Sequence, residues 1–586
     1  MLSQLNTLLC FAAINLAAWT LGRLLLAALG IARGDRLQTN LWRLVTGLLL
    51  AAAALAILGW AGLLHRSLIG VLTLAACCAH LPLHWISWRI RGKVAVARKA
   101  GAGFSEDINP ATCDAVGRPL LAGIFFLSGM VCLSSLLVAL SPPTAHDAWG
   151  YHLESPKRFL AAHRLVQLAD EDALMPTLSD MWNLWAMAID GPVCAQLIHW
   201  EWELLLALAT VLLASPILGR PWSWIAGAGV LLMPGVCGPL GATPEELPAA
   251  ALVALATAAW WHAAVEQQRR QWYILAGLAA AGAVGVSREA LLLPLAVMPV
   301  WLWLQPNQFG RRRVALVLAA AVGLAAVGIA GSLLWPRLHV EGRQVGQIGA
   351  LLVALLPGLL LTRRLRGLGV LLAVAGGYWL CACLMRREVR MPLPVVPMAV
   401  VAGVWVGIEL RRFPLAARRV AVAALFALAA AGVASALPWA HCCERLAVAI
   451  GVESREHFLL CHEPTFSAVL ISRLRVSPGA HILSQAPHTF YFDRHITLEC
   501  NYRQASPYDG QPGPSAALGQ RLRRDGFSHL LLVDTLSGTA APGESTLNAW
   551  TDSQLRDDSP AIHPLGEYRF CAADGSVRRY RLIELR

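Results

Sequence analysis

Charge is scarce in this chain. Only 14% of its 586 residues are Asp, Glu, Lys or Arg, while 57% are hydrophobic. So few charges cannot cover the surface of a soluble protein, and so much apolar side chain excludes disorder. Acids are the scarcer sign, 36 against 48 basic residues, for a formal net charge of +12. A basic balance can serve nucleic acid, but here the arginines stand in short clusters between apolar runs, where they retain loops in the cytoplasm. No nucleic-acid partner is expected. The 14 cysteines include no CxxC pair, which excludes the usual spacing of a structural zinc site. Cys77, Cys78, Cys132, Cys381 and Cys383 lie inside apolar runs and read as small packing residues. No basic residue precedes the apolar stretch from Leu8 to Leu29, so that stretch is expected to be an anchor and not a cleaved signal peptide. No repeat at solenoid periods is present.

Long apolar runs are what the chain has in abundance. A hydrocarbon core about 30 Å thick needs about 20 apolar helical residues, and about 14 such runs can be marked off by polar breaks. They begin near Leu8, Leu41, Leu68, Leu120, Val193, Trp222, Leu247, Trp272, Ala290, Val314, Gly346, Leu368, Leu393 and Val420. If they alternate in direction, the clusters at Arg33/Arg36, Arg89 to Lys99, Arg269/Arg270, Arg311 to Arg313, Arg363 to Arg366 and Arg411 to Arg419 fall on one side, the cytoplasmic one. The runs Trp272 to Val286 and Ala290 to Leu304 are short, and Ser287, Arg288 and Glu289 break them, so two short helices meeting near the outer face are expected.

The outer side then receives the loop 141–192, shorter loops at Thr243 to Glu246, Pro336 to Gln344 and Met385 to Arg390, and the tail after Pro438. The tail loses its long apolar runs. Strand-like stretches at His481 to Ser484, His529 to Val533 and Arg578 to Leu582, around helical stretches such as Ala516 to Arg524, read as a small α/β domain. Its cysteines Cys442, Cys443, Cys461, Cys500 and Cys571 would face an oxidising compartment, where a disulfide of undetermined pairing can form. Three segments follow: residues 1–118 with the first spans and a basic loop, 119–440 as the main membrane body, and 441–586 as the outer domain.

Asp147 stands a few residues beyond the run that starts near Leu120, at the depth of the lipid headgroups. Partial desolvation there strengthens a carboxylate as a base, and the nearby Lys157 and Arg158 oppose the shift. Taken alone, the residue reads as a solvated loop acid or a helix cap sooner than as a base. Pro176 to Trp185 alternates apolar and polar residues without reaching spanning length, which suits helices lying along the interface, with Trp182 and Trp185 as aromatic-belt anchors. His199, Glu201 and Glu203 near the start of the next span read as membrane-edge polar residues or as the lining of an acceptor entrance.

The stretch Asp147-Ala-Trp-Gly-Tyr151-His152-Leu-Glu-Ser-Pro156-Lys157, followed by Pro176 and the run toward Gly191, resembles the first periplasmic loop of bacterial GT-C glycosyltransferases. That superfamily includes the lipid A aminoarabinose transferases and the protein O-mannosyltransferases. Thr243-Pro-Glu245-Glu246-Leu-Pro is similar to the family's acidic outer loop, with Glu where many members have Asp. Gly282-Ala-Val-Gly-Val-Ser-Arg288 resembles the helix break often written Gly-x-x-x-x-Thr-Lys, with Arg288 for Lys. Arg390-Met-Pro-Leu-Pro394 resembles an Arg-Tyr-x-x-Pro turn, with Met391 for Tyr. The likeness covers roughly Leu120 to Arg586, so the first three spans look like an addition.

The resemblance implies an all-α polytopic membrane body with a small C-terminal α/β periplasmic domain, in the bacterial inner membrane. It implies an inverting transfer of a sugar from a polyprenyl-phosphate donor to a lipid, glycan or protein acceptor, with Asp147 as catalytic base. Arg288, Arg387, Arg390 and Lys157 would hold the donor phosphate, since guanidinium groups bind phosphate oxygens bidentately and stabilise the charge that grows on a leaving phosphate. For Arg387 and Arg390 the alternative is snorkelling to the interface. His146, Tyr151, His152, Glu245 and Glu246 would meet the sugar or acceptor. No cofactor or tight metal-ligand spacing is expected, although His146, His152, Glu245 and Glu246 could together bind a divalent cation. The alternative function is a transporter or flippase of lipid-linked glycans, which should place ionisable groups near the bilayer midplane.

Overall fold

The computed structural model describes residues 2–31, 36–95, 117–144, 152–166, 176–233, 246–265, 269–287, 371–379, 393–409, 439–486, 489–499, 515–537, 546–571 and 575–586, with a few isolated positions between them. They form two compact units. One comprises Met1–Ser141, Pro156–Val166 and Met175–Ile450; the other comprises Pro142–Ser155, Gln167–Leu174 and Gly451–Arg586.

The first unit is helical. Its elements begin with α1 (Leu2–Ala28), α2 (Arg36–Trp60), α3 (Arg66–Ala95) and α4 (Gly117–Ala139), followed by the short α5 (Glu154–Ala162) and α6 (Leu178–Ile189). Then come α7 (Pro192–Leu218), α8 (Arg220–Leu231), α9 (Glu246–Val265), α10 (Arg269–Val286), a 3-10 turn at Leu393–Val395 running into α11 (Val396–Glu409), and α12 (Trp439–Ala449). Among the described residues four helices are long and apolar enough to cross a membrane: α1, α2, the Ala122–Ala139 part of α4, and α7. Their outward side chains are apolar too: Leu9, Ile57 and Phe126 are each more than half exposed. Lipid matches such a surface; water would drive it to aggregate. Helices α9, α10 and α8 stand where runs were marked near Leu247, Trp272 and Trp222, but none of them is among those four, and α8 is only 12 residues long. The runs beginning near Val314, Gly346 and Val420 lie outside the described residues.

Helix α1 reaches α2 at backbone distance. A Cβ placed on Gly22 would stand 1.7 Å from the Arg43 carbonyl oxygen, and one on Gly47 would stand 1.7 Å from that of Ala18. Only glycine permits this approach, the usual device where helices pack without a hydrophobic drive from water. The N-terminal end of α1 is fixed by polar ties. Gln4 Nε2 donates to the Val448 carbonyl at 2.9 Å, Asn6 Nδ2 to Asp190 Oδ1 at 2.7 Å, and Thr7 Oγ1 to Asp190 Oδ2 at 2.7 Å.

Helix α6 starts with a capping box, Thr177 accepting from the Asp180 N–H while the Asp180 carboxylate accepts from that of Thr177. It is buried nearly throughout. The indole N–H of Trp182 donates to the Leu48 carbonyl at 2.9 Å and that of Trp185 to Thr73 Oγ1 at 2.9 Å. These tryptophans are core residues and not the interface anchors expected from the sequence: a buried indole needs an acceptor, and α2 and α3 supply one each.

The second unit carries a five-stranded mixed sheet of order β2-β1-β3-β5-β4. Its strands are β1 (His481–Ser484), β2 (His495–Leu498), β3 (His529–Ser537), β4 (Ile562–Cys571) and β5 (Val577–Leu585). β1 is parallel to β2 and β3, while β5 is antiparallel to β3 and β4. Four helices accompany it: α13 (Arg455–His462), α14 (Phe466–Arg475), α15 (Ser515–Arg524) and α16 (Thr546–Arg556). Ile482, Leu531 and Leu582 pack with Phe466 and Val469 on one face; Leu483, Leu530, Leu532 and Ile583 pack with Leu522, Leu547 and Trp550 on the other. Alternation along each strand therefore feeds two cores, which is why His529 to Val533 reads as a continuous apolar run. The expected α/β tail is a three-layer α/β/α domain. Cys461 and Cys571 are free thiols.

Candidate functional site

The loop nominated by the sequence is entered from the end of α4. Ser141 accepts from Arg445 Nη1 at 3.0 Å, and Pro143 from Tyr491 in the other unit's own core. Asp147, His146 and Tyr151 lie outside the described residues, as do Glu245, Arg288, Arg387 and Arg390. His152, Lys157 and Glu246 are described. His152 is half-buried two residues before α5, and Lys157 is half-buried on α5. Leu153, Pro156, Phe159 and Leu160 are buried beside them, a spacing that packs one face of α5 and leaves its cations for the other. Glu246 opens α9 and is exposed there, where an acid complements the positive end of the helix dipole.

Helix α5 ends at His163, whose φ of +57° lies in the left-handed region. A residue other than glycine in that position is held by its surroundings. The Leu64 N–H donates to the His163 carbonyl at 2.9 Å, and the Leu165 N–H to the Gly59 carbonyl at 3.1 Å. The rings of His65 and His163 meet in a tilted contact, with centroids 4.2 Å apart.

A second polar set lies inside α7. Glu201 and Glu203 are nine and eleven residues past Pro192, about 14 and 16 Å along the helix axis. Both are buried, with hydrogen bonds to Asn15 of α1 and Ser135 of α4 respectively. His199 Nε2 lies 3.0 Å from Asn183 Oδ1 on α6, and the Trp182 and Trp202 rings meet at 4.7 Å. Gln196 is 3% exposed, and neither of its amide atoms has a hydrogen-bond partner among the described residues. His199, Glu201 and Glu203 are all buried within the helical unit. The sequence did single out His199, Glu201 and Glu203, but Asn183 and Asn15 escaped notice, because an amide inside an apolar run carries no signal until its partner is known.

Outside the membrane-spanning segments, burial pushes Glu463 up to about 7 against its bonds from Thr465. Burial also holds His481 and His529 below the usual histidine range, with His495 adding to the effect on His481. Among the described residues no group of three or more His, Cys, Asp or Glu could hold a metal ion.

The chain is thus a mostly helical protein with several membrane-spanning helices and a C-terminal mixed five-stranded sheet. Among solved structures it is similar to ArnT from Cupriavidus metallidurans. The apo crystal structure is 14% identical, with 78% of this chain and 98% of that chain covered and a TM-score of 0.48. The crystal structure bound to undecaprenyl phosphate is 13% identical, with 80% and 98% covered and a TM-score of 0.45. No family model matches the chain, and no curated protein matches it in sequence.

Proposed function

We propose that this chain is an inverting GT-C-type glycosyltransferase, moving a sugar from a polyprenyl-phosphate donor to a lipid, glycan or protein acceptor at the periplasmic face of the inner membrane. The run from Asp147 to Lys157, which follows the spanning helix α4 in sequence and continues into the amphipathic α5, carries the reading. In it, residues 1–118 are accessory spans, 119–440 the catalytic body and 441–586 the periplasmic domain.

Asp147 takes the proton of an acceptor hydroxyl or amine as that group attacks the anomeric carbon. The bond from that carbon to the phosphate oxygen breaks on the opposite side, so the configuration inverts. The leaving phosphate gains negative charge, which Arg288, Arg387, Arg390 and Lys157 meet; donors that bind most tightly as charge develops lower the barrier. His146, Tyr151, His152, Glu245 and Glu246 orient the sugar or acceptor.

The test is Asp147→Asn, which keeps shape and removes basicity. Sugar transfer from a defined polyprenyl-phosphate donor should fall by roughly 10² to 10⁴-fold, with Asp170→Asn and Asp172→Asn as near-silent controls at equal membrane levels. Near-normal transfer by the Asp147 variant, or equal loss in the controls, would remove the assignment.

A flippase or transporter is the second reading, and Glu201 and Glu203 inside α7 are what favour it, since buried ionisable groups mark transport paths. Flipping of a fluorescent polyprenyl-phosphate sugar in proteoliposomes, lost in a Glu203→Gln variant, would select that reading.

A further inference from the structure

The helices that look appended to the catalytic body hold the loop helices in place. Four ties join the turn between α2 and α3 to the end of α5. They are the Leu64 to His163 and Leu165 to Gly59 backbone bonds at 2.9 and 3.1 Å, the His65–His163 ring contact at 4.2 Å, and the approach of His163 Nδ1 to the Leu64 carbonyl at 3.4 Å. The fit is close: a Cβ on Gly59 would meet Leu165 Cγ at 2.6 Å and Leu165 Cδ2 at 3.0 Å. Farther along the loop, α6 is pinned to the same two helices through Trp182 and Trp185. A loop crossing a membrane surface has few contacts of its own, so its geometry is set by whatever it docks on.

We propose that the α2–α3 hairpin is a docking frame for the loop helices, and that Gly59, His65, His163 and Leu165 are positioning residues that fix α5 and thereby Lys157 at the donor phosphate. This rests on the glycosyltransferase reading, in which Lys157 binds that phosphate. A cation on a short helix binds a phosphate well only when the helix is held, because hydrogen-bond strength falls steeply with distance and angle. The backbone ties provide the hold, and the left-handed turn at His163 reverses the chain onto the frame.

The experiment measures binding of undecaprenyl phosphate to the purified full-length chain, with thermal unfolding in the same detergent as the control. Lys157→Ala should weaken binding roughly 10-fold, the scale of one charged hydrogen bond. Gly59→Val, which forces Leu165 away, should weaken it by a similar factor with little change in unfolding temperature. Gly59→Val combined with Leu165→Ala should restore binding to within about twofold, which a merely structural lesion would not do. His163→Gly suits the same backbone conformation but loses the ring contact; it should weaken binding about twofold to threefold and carries the test if Gly59→Val does not accumulate. Wild-type affinity in Gly59→Val or in Lys157→Ala, or no recovery in the double variant, overturns the proposal. A wild-type chain that binds no undecaprenyl phosphate overturns the glycosyltransferase reading instead.

Discussion

The hydroxyl of Tyr491 donates a hydrogen bond to the carbonyl oxygen of Pro143 at 2.7 Å, joining positions 348 residues apart in sequence. Pro143 stands four residues before Asp147, and the segment Pro142–Ser155 groups with Gly451–Arg586 in one compact unit. Phe466 and Phe490 flank the Tyr491 ring at 5.7 and 5.1 Å. Tyr491→Phe keeps the ring and removes the bond. Sugar transfer should fall about 2- to 10-fold, the range of one neutral hydrogen bond, with unchanged protein in the membrane. Transfer equal to wild type would show that the tie has no part in placing the loop.

Topology is open to a direct check. Reporter fusions after Arg91 and after Arg270 should stay cytoplasmic, because both follow basic clusters. Fusions after Asp170 and at the C-terminus should be exported. A cytoplasmic C-terminus would place the proposed active site on the wrong side of the membrane.

Glu463 makes stability depend on pH. It is 2% exposed, and burial lifts its carboxyl from the ordinary glutamate value of 4.5 to about 7. Between these values the folded chain holds a proton that the unfolded chain has released. Its contribution is therefore full below about pH 4.5 and is lost as pH rises to about 7, amounting to up to about 3 kcal/mol. Glu463→Gln keeps the acceptor for Thr465 and removes the titration. The gap in unfolding temperature between this variant and wild type should widen in the variant's favour from pH 5 to pH 8. A constant gap would mean that Glu463 titrates as an ordinary surface acid.

Arg581 should be the costliest charge to remove from the sheet domain. Its side chain is 5% exposed, lies 3.0 Å from Asp534, and also pairs with Asp552. Arg581→Ala leaves carboxylates without their buried counter-charge, an expected loss of about 3 to 5 kcal/mol. Arg579 binds the same Asp534 at 2.8 Å but is 28% exposed, and its alanine variant should lose clearly less. Amide hydrogen exchange of β3 and β5 at rising denaturant measures both; equal losses would contradict the ranking.

Many of the helices and strands follow from local chemistry and so were legible in the chain. Spans such as α1, α2 and α7 follow from runs of apolar residues, which need no partner to declare themselves. β1, β3, β5 and α15 were likewise visible from composition and period. β2 and β4 were not: His495 to Leu498 is only four residues long, and Ile562 to Cys571 contains Pro564 and Gly566, where its pairing with β5 shifts register. Edge strands tolerate such residues because one side of their backbone is free of the ladder.

By itself the sequence determined that the chain carries membrane-spanning helices, where its basic clusters stand between the apolar runs, and which short motifs resemble a sugar transferase. Those properties depend on residue type and order along the chain. Only the tertiary structure decided that Trp182 and Trp185 are core residues, that Glu201 is bonded to Asn15, and that His163 is held by the α2–α3 turn. Each of these depends on a partner more than a hundred residues away in most cases, and a hydrogen bond or ring contact has no trace in sequence until folding brings both halves within about 3 to 5 Å.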